Sequence, residues 1–156
     1  MPSQKTLDET YLSMAETWSK LSKARRKKVG CLIVKDGAII SDGYNGTPKG
    51  FDNNCETLTS EDNYQECGDH CSGQLTTKPE VLHAETNAIT KLAKSTQSSD
   101  GATMYITISP CIECAKLIIQ SGIKRVVFRQ IYRNDKGINL LKKANIEINI
   151  HENNTK

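Results

Sequence analysis

The sequence predicts an α/β protein, a three-layer α/β/α sandwich built on a mixed five-stranded sheet. Three observations lead to this fold class. Five apolar runs have the length and composition of buried strands, and helical apolar patterns separate the last three of them. A tight-turn sequence, Asp36-Gly37, joins the first two strands into a hairpin. Helical crossovers make the last three strands parallel, so the sheet is mixed.

An amphipathic helix is predicted over residues 7–22, and Thr6 with Glu9 can form a capping box at its start. Its apolar side chains recur at spacings of four and three residues along one face. They are Leu7, Tyr11, Met14, Trp18 and Leu21. We expect this stripe to pack on the sheet.

Two nearly continuous apolar strands follow, Gly30–Lys35 and Ala38–Tyr44, which predict a sheet that is covered on both faces. Cys31, in the first of them, is interpreted as a buried core thiol. Residues 45–79 are then poor in apolar side chains, a stretch longer than most connections within a domain. We therefore predict a single domain over residues 1–156, with a polar insert at about 51–80.

Helices and strands alternate after the insert, as expected for parallel strands with helical crossovers. The predicted elements are a helix that begins near His83 and ends before Ser95, a strand at 102–108, a helix that Pro110 opens and Gly122 caps, a strand at Arg125–Gln130, a helix at 137–143 and a strand at 145–150.

The net charge of +3, from 21 Lys and Arg against 18 Asp and Glu, is too small to indicate a nucleic-acid-binding protein. Residues 23–28 carry a dense basic run, which can be a solvated helix end or a phosphate contact. No apolar run approaches the roughly 18 residues of a membrane span or forms a signal peptide. We expect a soluble, cytoplasmic protein with no membrane partner, whose six cysteines are thiols or metal ligands.

Two short motifs carry the chemistry, His83-Ala84-Glu85 and Pro110-Cys111-Ile112-Glu113-Cys114. One imidazole and two thiolates offer zinc three ligands and leave a fourth position for water, and Glu85 can carry protons beside them. This pattern is the signature of zinc-dependent nucleobase deaminases. A structural zinc site, with Glu85 only capping a helix, is the alternative, but it would normally need a fourth Cys or His at matched spacing.

Together with the segment from Gly43 to Gly50, these motifs resemble the deoxycytidylate (dCMP) deaminases, members of the cytidine deaminase superfamily. The resemblance extends over about residues 7–150 and includes Val29-Gly30-Cys31, the helix that starts at His83, and Cys114 to Lys124. A histidine as first ligand argues against the free-cytidine deaminases. The resemblance implies a cytidine deaminase-like fold and the hydrolysis of dCMP to dUMP and ammonia, which supplies thymidylate synthesis.

The resemblance also implies the roles of individual residues. It assigns catalytic zinc to His83, Cys111 and Cys114, and general acid/base catalysis to Glu85. It places substrate contacts at Asn45, which meets the sugar, and at Ala84, Ser109, Pro110 and Tyr132. For Tyr132, an aromatic that closes over the substrate and an ordinary half-buried tyrosine remain alternatives.

Many proteins of this family are homohexamers that dCTP activates and dTTP inhibits, and Mg²⁺ can accompany such a triphosphate effector. Glycines let backbone N–H groups approach phosphate closely, although such a cluster can also be a simple turn. The candidate effector or phosphate contacts are Gly43, Tyr44, Gly46, Lys49, Arg26 and Lys28.

The polar insert contains four further zinc-ligand types, Cys55, Cys67, His70 and Cys71. Three or four of them can hold a second, structural zinc ion, although the adjacent His70 and Cys71 point apart. The alternative is a set of free loop thiols.

Two other functions remain open from the sequence. A nucleic-acid deaminase would act on a flipped base with residues 23–28 along the backbone, but an aromatic content of 5% leaves few stacking platforms. A catalytically silent zinc scaffold would bind a partner protein through the polar insert. A Glu85→Gln variant separates this scaffold from an enzyme.

Overall fold

The computed structural model of the chain describes residues 1–59 and 74–153. Within them lie four helices and seven strands. The helices are α1 (Gln4–Ser19), α2 (Ala84–Leu92), α3 (Ile112–Gln120) and α4 (Lys136–Lys143). The strands are β1 (Gly30–Lys35), β2 (Ala38–Tyr44), β3 (Glu56–Thr59), β4 (Gln74–Thr77), β5 (Thr103–Ile108), β6 (Arg125–Gln130) and β7 (Glu147–Ile150).

Five of the strands form one mixed sheet in the order β2-β1-β5-β6-β7. Strand β1 is antiparallel to both β2 and β5, whereas β5, β6 and β7 are parallel. The helices α3 and α4 supply the crossovers that parallel pairing requires. The predicted mixed sheet and its three parallel strands are confirmed.

Helices cover both faces of this sheet, which confirms the three-layer sandwich. The larger core lies under α2, α3 and α4, where Ala88, Ile118 and Leu141 pack over Ile106 and Phe128. On the opposite face, α1 covers a smaller apolar group. That group is Leu12, Ala15, Leu32, Val34, Tyr105 and Val127, with Tyr11 against it. Cys31 is fully buried in the larger core, as predicted.

The apolar stripe predicted for α1 is wrong for its second half. Met14, Trp18 and Leu21 are exposed, and the helix ends at Ser19. The buried face instead contains Asp8, Leu12 and Ala15. That face is favoured because a buried ion pair satisfies Asp8, and because Gly30 and Ala15 let the helix and β1 approach closely.

Two helix starts differ from the predicted ones. Ser3, rather than Thr6 with Glu9, caps α1, since its side chain accepts a hydrogen bond from the Thr6 N–H (3.1 Å). Helix α3 has Cys111 as its N-cap, so Pro110 precedes the helix rather than opening it. Gly122 follows α3 with a φ of 76°, which suits the glycine predicted at its end.

The polar insert contains an antiparallel strand pair, β3 with β4, that the sequence analysis did not predict. Its strands are short and rich in threonine, a β-branched residue that favours strands without adding apolar content. In the part of the chain described, no helix is long and apolar enough to cross a membrane.

Candidate active site

Two helix N-termini bring the three predicted zinc ligands together. His83 is the N-cap of α2, Cys111 is the N-cap of α3, and Cys114 lies in the first turn of α3. The Nδ1 atom of His83 lies 3.5 Å from the sulfur of Cys111 and 3.3 Å from that of Cys114. In the described residues no fourth histidine, cysteine or carboxylate joins this group.

The geometry of the cluster fits a zinc ion. For zinc bonds of about 2.1 Å to nitrogen and 2.3 Å to sulfur, tetrahedral angles place nitrogen and sulfur ligands about 3.6 Å apart. The two His83 to cysteine distances lie within about 0.3 Å of that length. His83 is exposed and Cys114 is buried, so the cluster opens on one side. Three ligands with an open side are typical of a catalytic zinc site.

Local hydrogen bonds favour the thiolate form of Cys111. The backbone N–H of Cys114 donates to the sulfur of Cys111 (3.5 Å), and the Thr86 hydroxyl contacts the Cys114 sulfur at 3.8 Å. The Cys114 thiol, the His83 ring and the Cys114 N–H all contact the Cys111 sulfur and lower the pKa of Cys111 to about 3, against the effect of burial. The same contact with Cys111, together with burial, raises the pKa of Cys114. The hydrogen bond to Cys111 raises the pKa of His83. The site therefore favours one ionised sulfur, that of Cys111.

Glu85 is buried at the start of α2, two residues from His83. Burial raises its pKa to about 7, because the surroundings disfavour the charged form. A bound dication would act in the opposite direction. A carboxyl group that titrates near neutral pH can both take up and release a proton during turnover.

A cavity of about 370 Å³ opens above the cluster. His83, Glu85 and Cys111 are among its polar lining residues, and Val29, Val81 and Ile108 are among its apolar ones. The lining also includes three cationic side chains: Arg26, Lys27 and Arg133. The arrangement suits a ligand with a planar, partly apolar body, a reactive polar end and a negatively charged group.

Four of the five predicted substrate contacts line this cavity, namely Asn45, Ala84, Ser109 and Tyr132. Pro110 is buried outside the cavity lining. Asn45 accepts a hydrogen bond from the Val29 N–H (2.8 Å) and donates one to the Lys27 carbonyl (2.8 Å). The Ser109 hydroxyl accepts from the Tyr132 N–H (2.7 Å) and so fixes the backbone that carries the tyrosine.

The predicted effector or phosphate contacts divide into several groups. Arg26 lines the cavity, whereas Lys28 and Lys49 are exposed outside its lining. Gly43 is buried beneath α2 and faces the backbone of Ala84 and Ala88. Tyr44 and Gly46 are partly buried, and Gly46 pairs with Leu82 in an isolated bridge beside His83.

Among the charged residues of the cavity wall, sequence reasoning missed Glu56 and Arg133. The sequence indicates Lys27 only as a member of the basic run at residues 23–28, a candidate phosphate contact. The guanidinium of Arg133 lies 5.4 Å from the centre of the neighbouring Tyr132 ring and forms a cation–π pair with it. The sequence of a loop does not indicate such a pair. Glu56 had no signal beyond its position in the polar insert.

The proposed second zinc site can be placed only in part. Cys55 is buried, and burial raises the pKa of its thiol. Cys67, His70 and Cys71 lie outside the described residues.

An open His/Cys/Cys cluster with a buried carboxylate beside it, carried on an α/β/α sandwich, is the arrangement expected of a catalytic zinc site of the deaminase type. The chain matches the family model of the cytidine and deoxycytidylate deaminase zinc-binding region over residues 5–130, and it belongs to that family.

Named relatives and a solved structure agree with this assignment. The chain is 37% identical to the deoxycytidylate deaminase of Enterobacteria phage T4, over 89% of this chain and 86% of the phage protein. It is 38% identical to that of Mycobacterium phage D29, over 78% and 92% of the two chains. The structure of dCMP deaminase from cyanophage S-TIM5, in complex with dCMP and dUMP, matches 96% of this chain and 100% of its own. Its sequence identity is 39% and its TM-score is 0.83.

Proposed function

We propose that this protein hydrolyses dCMP to dUMP and ammonia and so feeds thymidylate synthesis. The observation that carries the proposal is a zinc-type cluster with Glu85 at one end of a cavity whose wall also holds cationic side chains. The similarity to a deaminase solved with dCMP and dUMP supports the same substrate and product.

His83, Cys111 and Cys114 would hold the zinc ion, through one nitrogen and two sulfurs. When bound, zinc supplies Lewis-acid activation of a water molecule for attack on C4 of cytosine. Glu85 takes up the proton that this water releases and delivers protons to the ring nitrogen and to the departing amine. A C4–O bond forms, the C4–N bond breaks, and ammonia leaves.

The rest of the cavity orients the nucleotide in this proposal. Asn45 meets the sugar, Ala84 and Ser109 border the base, and Tyr132 closes over it. Arg26, Lys27 and Arg133 are the charged groups of the lining that can bind the 5′-phosphate. Among the described residues that line the cavity, Tyr132 is the only Phe, Tyr or Trp, which favours a single nucleotide over a stacked strand.

The regulatory part of the proposal is a cytoplasmic homohexamer that dCTP activates, with Mg²⁺, and dTTP inhibits. The bridge between Gly46 and Leu82 supports it, because a ligand at Tyr44 or Gly46 would act on the chain beside His83. The proposal takes residues 1–156 as one catalytic domain with a polar insert at about 51–80, and includes a second, structural zinc ion in that insert.

The test is ultraviolet monitoring of the purified protein with dCMP, CMP, deoxycytidine and a cytosine-containing oligonucleotide. Each substrate is measured alone and with dCTP or dTTP in the presence of Mg²⁺. Preferential loss of absorbance with dCMP is expected. Turnover of the oligonucleotide and of no other substrate would contradict the proposed substrate. Rates that neither dCTP nor dTTP changes would contradict the proposed regulation.

A further inference from the structure

Glu56 is a fully buried carboxylate of the polar insert that the catalytic steps do not use. It begins β3 and lines the active-site cavity. Burial of an ionised carboxylate is costly unless hydrogen bonds and opposite charges compensate it. The contacts that compensate Glu56 therefore indicate what this side chain holds in place.

Both oxygens of Glu56 bind the backbone of the basic loop that precedes β1. The Arg25 N–H lies 3.0 Å from Oε1 and 3.1 Å from Oε2, and the Arg26 N–H donates to Oε1 at 3.1 Å. The Arg25 guanidinium adds a longer ion pair of 3.8 Å. The carboxylate thus clamps two successive amides.

The clamped loop carries cationic side chains of the cavity wall. Arg26 and Lys27 both line the cavity, and the Arg26 guanidinium donates a 3.4 Å hydrogen bond to Thr77 of β4. The loop is held at its other end by Asn45, which bonds to the Lys27 carbonyl and the Val29 N–H. Residues 25–29 are therefore fixed from two sides, by the insert and by the loop after β2.

We propose that Glu56 is a positioning residue that holds the basic loop in its phosphate-binding shape. The inference rests on the proposed function, because it names the part of the chain that recognises the 5′-phosphate of dCMP. Glu56 acts through the backbone of Arg25 and Arg26 and does not touch the substrate. The carboxylate oxygens of Glu56 accept hydrogen bonds from two backbone N–H groups, so the buried negative charge is directed at the loop.

The test compares dCMP with deoxycytidine, which lacks the phosphate, in Glu56→Gln, Arg26→Ala and the double variant. Glutamine places an N–H donor against the backbone donors and removes the charge. We expect kcat/KM for dCMP to fall about tenfold because KM rises, which corresponds to the loss of one charge-assisted hydrogen bond. The kcat/KM for deoxycytidine should stay within twofold. In the Arg26→Ala background, Glu56→Gln should have a much smaller effect on the ratio between the two substrates.

A control isolates the clamp. Glu152→Gln makes the same chemical change at an exposed carboxylate. It should keep the dCMP to deoxycytidine ratio within twofold. If Glu56→Gln does not fold, Glu56→Asp replaces it, because it keeps the charge and shortens the reach to the amides.

The outcomes separate the two proposals. If the unaltered protein does not turn over dCMP, the proposed function fails. If it does, but the Glu56 variant keeps the substrate ratio or loses both activities equally, the positioning role is wrong. Tighter dCMP binding in Glu56→Gln would also overturn it, since Glu56 would then repel the phosphate directly.

Discussion

At the scale of single residues, the site depends on side chains whose protonation is set by their neighbours. Thr86 and the Cys114 N–H contact the sulfur atoms, and burial raises the pKa of Glu85. The two proposed roles are chemically separate, because His83 and the cysteines would bind the metal whereas Glu85 would move protons. A substitution at Glu85 should therefore remove turnover and keep the metal.

We predict that Glu85→Gln lowers kcat for dCMP by about 10²–10⁴, the usual contribution of general acid–base catalysis. Glutamine keeps the size of the side chain but cannot carry a proton. Zinc content, measured by atomic absorption on the same sample, should stay at the level of the unaltered protein. Retained turnover, or turnover lost only together with the zinc, would contradict the role of Glu85.

At the scale of elements, the site exists because α2 and α3 begin beside each other over the sheet. The backbone of α2 approaches β2 so closely that a methyl group on Gly43 would lie 2.2 Å from the Ala84 carbonyl and 2.7 Å from the Ala88 nitrogen. A side chain on Gly137 of α4 would similarly meet the Pro110 carbonyl at 2.1 Å. Small residues therefore set the positions of both ligand-bearing segments.

We predict that Gly43→Ala destabilises the protein by about 1–3 kcal/mol, because its methyl group must displace α2. The same displacement moves His83 and Glu85, so kcat should fall as well. Chemical denaturation measures the stability. The matched control is Gly46→Ala, whose added carbon meets no atom within 4 Å and which should change stability little. Equal stabilities of the two variants would refute this account of α2.

Features that depend on neighbouring residues could be predicted from the sequence, whereas features that depend on contacts between distant residues could not. His83 to Glu85 and Cys111 to Cys114 are short patterns at the starts of helices, so their chemistry could be read directly. The β3–β4 pair escaped detection because its strands use threonine in place of apolar residues. Glu56 and Arg133 reach the cavity through contacts that no spacing encodes.

At the scale of the whole molecule, an ionic network holds α1 on the sheet. The Arg125 guanidinium donates to both oxygens of Asp8 at 2.9 and 2.7 Å, and the Tyr105 hydroxyl adds a 2.8 Å bond. Arg129 and His151 bind Glu9 in the same region. Asp8 and Arg125 are far apart in the sequence, so the face of α1 that packs on the sheet could not be read from apolar spacing alone.

We predict that this network makes stability fall below about pH 4. Burial alone would raise the pKa of Asp8, but hydrogen bonds from Arg125, Gln4 and Tyr105 outweigh it and lower the pKa below its ordinary value. The stabilisation is therefore complete above the unfolded pKa of about 3.9 and is lost as pH falls below it. Asp8→Asn should cost about 3–5 kcal/mol at pH 7 and about 1 kcal/mol less near pH 3.

Urea denaturation at both pH values measures this difference for Asp8→Asn and for Asp36→Asn, an exposed aspartate in the β1–β2 turn. Taking each variant against the unaltered protein cancels the acid sensitivity of the metal site. A destabilisation of Asp8→Asn that is the same at both pH values would rule out the ion pair as its source.

The most direct measurement for the whole account is dCMP turnover after zinc is removed with a chelator and then returned. We predict that the metal-free protein is inactive and that returned zinc, bound by His83, Cys111 and Cys114, restores the rate. Full activity in protein shown to contain no metal would contradict the central claim.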